Sequence, residues 1–471
     1  MTFAALTAAL ATIFAAGYGT LSLVAREPVR LNLAEQFGLS WLFGTGLISL
    51  LIWLAGFCAQ GAVLQCVVTA VCFLLAVIGR KQTPALGFPK RLSFFEFFLA
   101  AILVVEIAIV FYLSFVRTLG WDGLLNWEIK ARYAFENNGV LPPTYLADSS
   151  RTFSHHEYPL AVPFTQLWLY FWLGQANQFW AKIVFPMFYA SGSILLAALA
   201  IRLGARLWLG LVAAICLFFI PQISVNDGGA ITGYIDFPIS VFYLASIGLL
   251  LCAIEKGCNV YFKLYAVCLA FLPWIKRDGV VLWAVAAACG MIVILRTKKS
   301  PLLFLTLLPG FLIICAWHFY LSAMRAQQSS DFLPVNLGGF ATHLYRVVPL
   351  LFAFLAELKT VQSWSLFWLI VGIGVAHLVP RIRDLRVPVL FTALIAPIFV
   401  YLFTYIFSDW PNYQQHVALS ISRLLMHVVP VGVLIVVLAV CGEKNSEDVL
   451  KRRAVTCRKS GSGRTAVVEL A

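Results

Sequence analysis

Residues Trp121–Leu160 read WDGLLNWEIKARYAFENNGVLPPTYLADSSRTFSHHEYPL and form the longest polar interruption in an otherwise apolar chain. They follow the apolar run Phe95–Val116, and a helix of that length can cross the hydrocarbon core of a bilayer. Asp122 therefore lies where a membrane helix is expected to leave the bilayer, so its carboxyl group faces both lipid and water. We expect the rest of the chain to form a scaffold around this acid.

The composition indicates an all-α polytopic membrane protein. Hydrophobic residues make up 61% of the 471 and charged residues 12%, whereas soluble domains carry about 25% charged residues. The mean hydropathy is +0.89, and several windows exceed the roughly 20 apolar residues that a spanning helix needs. Lys and Arg cluster in short loops, so we interpret the net charge of +13 as a topological signal and expect no nucleic-acid partner.

The apolar segments are expected to form about thirteen transmembrane helices in one domain, residues 1–441. The basic loop Arg80–Arg91 contains no acid, which predicts a cytoplasmic position under the positive-inside rule. The long loop at about 117–160 and the second loop at about 226–238 then lie on the extracytoplasmic side. The basic tail, residues 442–471, is predicted to be cytoplasmic and largely disordered.

Two apolar segments are expected to lie in the membrane interface instead of crossing it. Pro159–Leu173 is short and is bounded by Pro159 and Gly174, so it is expected to lie at the surface or to dip into the bilayer. A full span at residues 344–358 would move the basic residues that follow it to the outer side, against the positive-inside rule.

If this topology holds, several polar groups converge on the outer face, and their convergence is the main sequence evidence for a site. They are Asp122 with Lys130, the run His155-His156-Glu157-Tyr158, Asp236, the run Lys276-Arg277-Asp278, and Arg423.

Each of the two leading acids has a structural and a functional interpretation. Trp121 is a typical headgroup anchor and Asp122 a typical cap of the next helix, but we favour Asp122 as a general base for a hydroxyl. Asp236 begins an apolar segment with Pro238 in its first turn, which is typical of an N-cap and compatible with a role in a site. Lys130 either contributes to the site or extends along the interface.

The polar run in the first loop has two functional interpretations. Imidazole and carboxylate groups are suitable metal ligands, so His155, His156 and Glu157 are candidates for a divalent metal site. Adjacent histidines face different directions, however, and no third ligand follows at a motif spacing. We therefore favour binding of substrate hydroxyls or phosphate, with Tyr158 extended before Pro159.

The cations Lys276 and Arg277 oppose the positive-inside trend, because the basic clusters on both sides of their segment are predicted to be cytoplasmic. Charges at membrane depth usually line a cavity or bind a ligand. We expect them to hold an anionic group, with Arg277 gripping two oxygens and Lys276 acting as a point charge. Side chains that extend to the interface are the alternative, and Arg423 has the same two interpretations. His427 is expected to be an ordinary core residue.

Five short motifs occur in a fixed order: WDxxxxWxxKA, HxxYPL, GYxDxP, KxDG, and SRLL with a downstream Pro430. In this order and with this predicted sidedness, the chain resembles a bacterial branch of the GT-C glycosyltransferases, akin to the aminoarabinose transferases and protein mannosyltransferases. The motifs cover roughly residues 92–295 and 410–430.

The resemblance implies an enzyme that transfers a sugar from a polyprenyl-phosphate donor to a lipid, glycan or protein acceptor, with inversion at the anomeric carbon. It implies that Asp122 is the catalytic base and that Asp236 positions donor or acceptor. Lys276 would hold the lipid phosphate, and Asp278 takes the place of a second acid of that family. The site would face the extracytoplasmic side of a bacterial inner membrane. No cofactor other than the metal considered above is implied.

Two other functions share the same cations. A transporter or flippase for lipid-linked sugars needs the phosphate-binding cations but no base. A polymerase or ligase that uses pyrophosphate-linked glycans also needs these cations and accepts oligosaccharides. The acid at the helix exit distinguishes the transferase from a carrier, whereas acceptance of oligosaccharides would distinguish the polymerase or ligase.

Overall fold

The computed structural model of the chain describes residues 2–25, 31–80, 92–329 and 331–441. All of the regular elements in these residues are helical, and an isolated antiparallel bridge joins Phe332 to Ser408. This confirms the prediction of an all-α, multi-pass membrane protein. Residues 81–91 of the basic loop and the tail 442–471, both predicted to be cytoplasmic, lie outside the described residues.

The first half of the chain forms long apolar helices separated by the polar loop that follows α4. The α-helices are α1 (Thr2–Val24), α2 (Leu33–Ala55), α3 (Gly61–Arg80), α4 (Phe94–Val116), α5 (Ile129–Glu136), α6 (Pro143–Leu146), α7 (Ala161–Leu173), α8 (Gln178–Ala181), α9 (Val184–Arg202), α10 (Leu207–Ile215) and α11 (Pro221–Ser224). The loop itself also contains a π-helical turn, Gly123–Glu128, and a 3-10 helix, Ser149–Ser154. The long polar stretch is thus a folded element and not an open loop.

The second half continues with α12 (Asp236–Lys256), α13 (Asn259–Ile275), α14 (Gly279–Arg296), α15 (Leu308–Ala323), α16 (Leu337–His343), α17 (Val347–Leu358), α18 (Val361–Trp364), α19 (Phe367–Leu378), α20 (Arg386–Ile406), α21 (Tyr413–Met426) and α22 (Val429–Cys441). Short 3-10 helices at Pro301–Leu307, Leu344–Arg346 and Val379–Arg381 extend or join these helices.

The described residues contain 10 helices that are long and apolar enough to cross a membrane, or 11 if the pair α21–α22, bent by 45°, is one span. The sequence predicted a higher number, about thirteen spans, because some of the apolar segments form shorter helices in the structure. The segment before the second loop forms only α10 and α11, while α13 and α19 are classed among shorter apolar helices. Leu337–Leu358, which contains the segment expected at the interface, is long and apolar enough to span.

The helix α12 lies at the centre of the bundle, with 94% of its apolar window buried. It packs against α9, α13, α14, α20, α21 and α22. Because α12 begins at Asp236, an acidic side chain lies at the centre of the bundle, at the end where α12 starts. At the other end, Arg202 donates hydrogen bonds of 2.7 Å to both carboxylate oxygens of Glu35, and Arg386 pairs with Glu255 and Asp384.

Glycines set the distance between α1 and α2. A Cβ atom on Gly44 would lie 2.0 Å from the carbonyl oxygen of Ile13, and one on Gly17 would lie 1.8 Å from that of Ser40. The two backbones therefore approach more closely than any larger residue allows, as is common between membrane helices.

We predict that Gly44→Ala destabilises the protein by about 1–3 kcal/mol, because the added methyl group forces α1 and α2 apart. The matched control is Gly372→Ala in α19, where an added Cβ has no atom within 4 Å and the gain in helix propensity is about 1 kcal/mol. Thermal unfolding in detergent compares the two variants. Equal melting temperatures for both would contradict the packing described for α1 and α2.

Candidate functional site

The buried acid Asp236 is the centre of the candidate site. Its Oδ1 accepts hydrogen bonds from Lys276 Nζ (2.6 Å) and His427 Nε2 (3.1 Å), and its Oδ2 accepts one from Arg423 Nε (3.1 Å). Ile235 takes the N-cap position of α12, and the Asp236 side chain makes no capping bond. The capping interpretation is therefore not needed: the carboxylate joins α12 to the ends of α13 and α21.

The turn between α13 and α14 brings a second carboxylate to the cluster. Lys276, which follows α13 in an extended conformation, places its Nζ 2.7 Å from Asp278 Oδ2 as well as against Asp236. Burial alone would lower the pKa of the Lys276 ammonium, and the two carboxylates reverse this effect and raise the pKa above its ordinary value. Lys276 is thus held as a cation between the ionised carboxylates of Asp236 and Asp278. Its binding partners are side chains of the protein itself.

Arg423 connects this cluster to the polar loop. Its Nη2 lies 2.5 Å from Asp122 Oδ2, and its guanidinium lies over the ring of Tyr234 with 4.7 Å to the centroid. Burial and the nearby Asp122 carboxylate raise the pKa of Tyr234 to about 12, so the phenol stays neutral. The side chain of Asp122 is 14% exposed, and its ion pair with Arg423 is made through Oδ2. Asp122 is therefore both paired and open to a substrate.

The loop supplies a buried lysine and an aromatic stack beside this cluster. Lys130 is fully buried and its Nζ donates to the carbonyl oxygen of His155 at 2.7 Å. The ring of Tyr158 stacks on His155 at 4.6 Å and on Trp127 at 5.3 Å. Burial lowers the pKa of Lys130 to about 7, an effect that the charge of Glu157 partly opposes.

Glu157 gathers a second set of contacts. Its Oε1 accepts a hydrogen bond from Ser329 Oγ at 2.7 Å and lies 3.4 Å from Arg277 Nη1 and from His155 Nδ1. Burial would raise the pKa of this carboxyl, but the contacts with His155 and Ser329 outweigh it and lower the pKa to about 2. The Arg277 side chain is 51% exposed. Of the two cations in the turn between α13 and α14, Arg277 is therefore the one that a ligand can reach.

The histidines do not form a metal site in the part of the chain that the structure describes. His156 is fully buried, with its ring 4.8 Å from that of Tyr145, whereas the His155 ring stacks on Tyr158. Across residues 2–25, 31–80, 92–329 and 331–441, no group of three His, Cys, Asp or Glu side chains is arranged to hold a metal ion. In these residues, His155, His156 and Glu157 are therefore not arranged as the divalent metal site that the sequence left open.

Three contributors were not predicted as site residues. His427 was expected in the core, but its Nε2 contacts Asp236 and its Nδ1 is 2.9 Å from the hydroxyl of Tyr401. Its position four residues after Arg423, on the same face of a helix, was a usable signal. Asp331, with Oδ2 3.4 Å from His155 Nδ1, and Ser329 belong to a loop with no recognisable pattern, so no sequence signal pointed to them.

Comparison with known proteins does not assign this chain to a family. No protein-family model, no curated protein and no solved structure matches the chain. The resemblance to the GT-C glycosyltransferases therefore stays a prediction from short motifs, and the function has to be argued from the geometry.

We predict strong coupling between Lys276 and Asp236. Removing one partner of a buried ion pair typically costs about 3–5 kcal/mol, because the remaining charge is left unpaired. Lys276→Met should therefore lower the free energy of unfolding by this amount, and the double variant Lys276→Met/Asp236→Asn by clearly less than the sum of the two single variants. Denaturation in detergent micelles measures all three. Additive effects would mean that the pair is not coupled.

The buried Lys130 predicts a pH dependence of stability. Its pKa is about 7 in the folded protein and about 10.4 in an unfolded chain, so the unfolded state binds more protons between these values. The stability of the wild type relative to Lys130→Met should rise with pH over this range, by at most about 1.4 kcal/mol per pH unit, and be flat below it. A constant difference between the two proteins would contradict a buried, deprotonating Lys130.

Proposed function

We propose that this chain is an integral-membrane glycosyltransferase that moves a sugar from a polyprenyl-phosphate donor to an acceptor hydroxyl on the extracytoplasmic face. The acceptor is a lipid, a glycan or a protein. The proposal includes a GT-C architecture and a location in a bacterial inner membrane. The observation that carries it is the partly exposed Asp122, which joins a buried charged cluster through Arg423.

The charge balance of the cluster supports Asp122 as a base. The carboxylates of Asp122, Asp236 and Asp278 face the cations Arg423 and Lys276. With a neutral imidazole next to them, the cluster has one negative charge in excess. Taking up one proton from an acceptor hydroxyl brings the net charge of the cluster to zero. Of the three acids, Asp236 is fully buried and Asp278 is bound by Lys276, so we assign this proton to Asp122, the acid that follows the end of α4.

The proposed transfer has three coupled events. Asp122 takes the proton of the acceptor hydroxyl, and the acceptor oxygen attacks the anomeric carbon of the donor sugar. The bond from that carbon to the phosphate oxygen breaks, and its electron pair leaves with the polyprenyl phosphate. Fixed cations at the position where this charge develops stabilise the transition state.

Arg277 is the cation best placed for the departing phosphate. Its guanidinium is half-exposed, and its contact with Glu157 is long, at 3.4 Å. Lys276 forms ion pairs with Asp236 and Asp278. We therefore assign it the role of holding these acids in place. It also contributes to the local positive charge. The stacked rings of Tyr158 and His155 form an aromatic surface beside the charged cluster.

The test is transfer of radiolabelled sugar from polyprenyl phosphate in membranes that contain the full-length protein, with acceptor extract from the native host. We expect Asp122→Asn to bind the donor with unchanged affinity and to lose at least about 100-fold in turnover. Arg277→Ala should instead weaken donor binding, since a charge-assisted contact to phosphate is lost. The matched control is Glu136→Gln, an exposed acid of the same loop, which should transfer like the wild type.

Three results would contradict this proposal. Full activity of Asp122→Asn would exclude Asp122 as the base. Movement of labelled lipid between leaflets without any transfer would replace the enzyme with a carrier for lipid-linked sugars, and transfer only from pyrophosphate-linked oligosaccharides would indicate a polymerase or ligase.

A further inference from the structure

A groove runs along α13 and begins near the end of the bundle opposite Asp236. It has a volume of about 510 Å³ and lies between the last turn of α1, the side of α13 and the residues that lead into α15. The direction of α13 fixes its position. Lys276 follows the last residue of that helix, whereas Tyr261, in its first turn, lies under the guanidinium of Arg202, 5.9 Å from the ring centroid. The groove therefore begins at the Arg202 end of the bundle, away from the charged cluster.

The walls of this groove are apolar. They are formed by the α13 residues Ala266, Val267, Ala270 and Phe271 and by Leu23 and Val24 of α1. From Lys263 to Phe271 the groove follows α13 for eight residues, which is about 12 Å. The start of α15 beside it exposes the large apolar side chains of Leu308 and Phe311, so this surface faces lipid. A groove with such walls matches a hydrocarbon chain.

The polar end of the groove is basic. Lys263 lines it and is exposed. Asn259, one turn earlier on the same face of α13, accepts a hydrogen bond of 2.9 Å from Lys299 Nζ, so a second ammonium group is held about one helical turn from Lys263. No acid of the described residues lines the groove. This end therefore matches a ligand group that carries negative charge, such as a phosphate.

We propose that this groove binds an anionic phospholipid, with one acyl chain along α13 and the headgroup phosphate on Lys263 and Lys299. Basic pockets between membrane helices bind anionic headgroups in this way. The occupant is a lipid of the surrounding bilayer and not the sugar donor. Lys263 lies thirteen residues before Lys276, which is about 20 Å along a helix, so a phosphate bound there is far from the charged cluster. The site does not depend on the proposed transferase activity.

Native mass spectrometry of the delipidated full-length protein in detergent tests this proposal, with dioleoyl phosphatidylglycerol as the anionic probe and dioleoyl phosphatidylcholine as the zwitterionic one. We expect Lys263→Met to weaken binding of phosphatidylglycerol about fivefold and to leave binding of phosphatidylcholine unchanged. Lys263→Arg should keep the preference, because it keeps the charge. Ala266→Trp should weaken binding of both lipids, since the indole fills the groove. The matched control is Lys256→Met, which removes an exposed lysine at the same end of the bundle, outside the groove, and should bind like the wild type.

Each of three results would overturn the phospholipid site. An equal loss of phosphatidylglycerol in Lys263→Met and Lys256→Met would mean that the positive charge of this end attracts lipid without a specific site. Unchanged binding of both lipids by Ala266→Trp would place them outside the groove. Tighter binding of polyprenyl phosphate than of phosphatidylglycerol, lost in Ala266→Trp, would assign the groove to the donor lipid instead.

Discussion

The site depends on one buried carboxylate. Asp236 lies at the first residue of the central helix α12 and binds Lys276, Arg423 and His427 at once. A buried charge is tolerated only when it is paired and hydrogen-bonded, so the acid forces the ends of α13, α21 and α22 to meet at one point. The position of Asp122 then follows, because Arg423 binds both acids.

The surrounding chain holds this arrangement from both sides. Lys182 donates to the carbonyl oxygens of Phe115 and Arg117, at 3.1 and 2.6 Å, and so satisfies the end of α4 from which the polar loop starts. The π-helical turn that follows packs closely, since a Cβ on Gly123 would lie 2.6 Å from the carbonyl oxygen of Thr232. Backbone contacts thus set the first loop against the second loop, where Asp122 and Tyr234 meet Arg423.

The sequence predicted which residues converge but not how they pair. Charge asymmetry between loops placed Asp122, Asp236, Lys276 and Arg423 on one face, and the structure brings them together. Their pairing depends on packing between residues as far apart in the chain as Asp122 and Arg423, for which a single sequence has no signal. Lys276 is an example. The sequence predicted that it holds a phosphate, whereas in the structure it binds the carboxylates of Asp236 and Asp278. Helix number was less predictable than helix type, because an apolar segment does not show in advance where a helix breaks.

In the proposed function, the end of the bundle at Asp236 binds a lipid phosphate beside a base. An experimental structure of the full-length protein with bound polyprenyl phosphate is the decisive test. We expect the phosphate to lie within hydrogen-bond distance of Arg277 Nη1, with the space next to it open to the Asp122 carboxylate. A phosphate bound at the opposite end, near Arg202 and Arg386, or one that leaves Arg277 without contact, would contradict it.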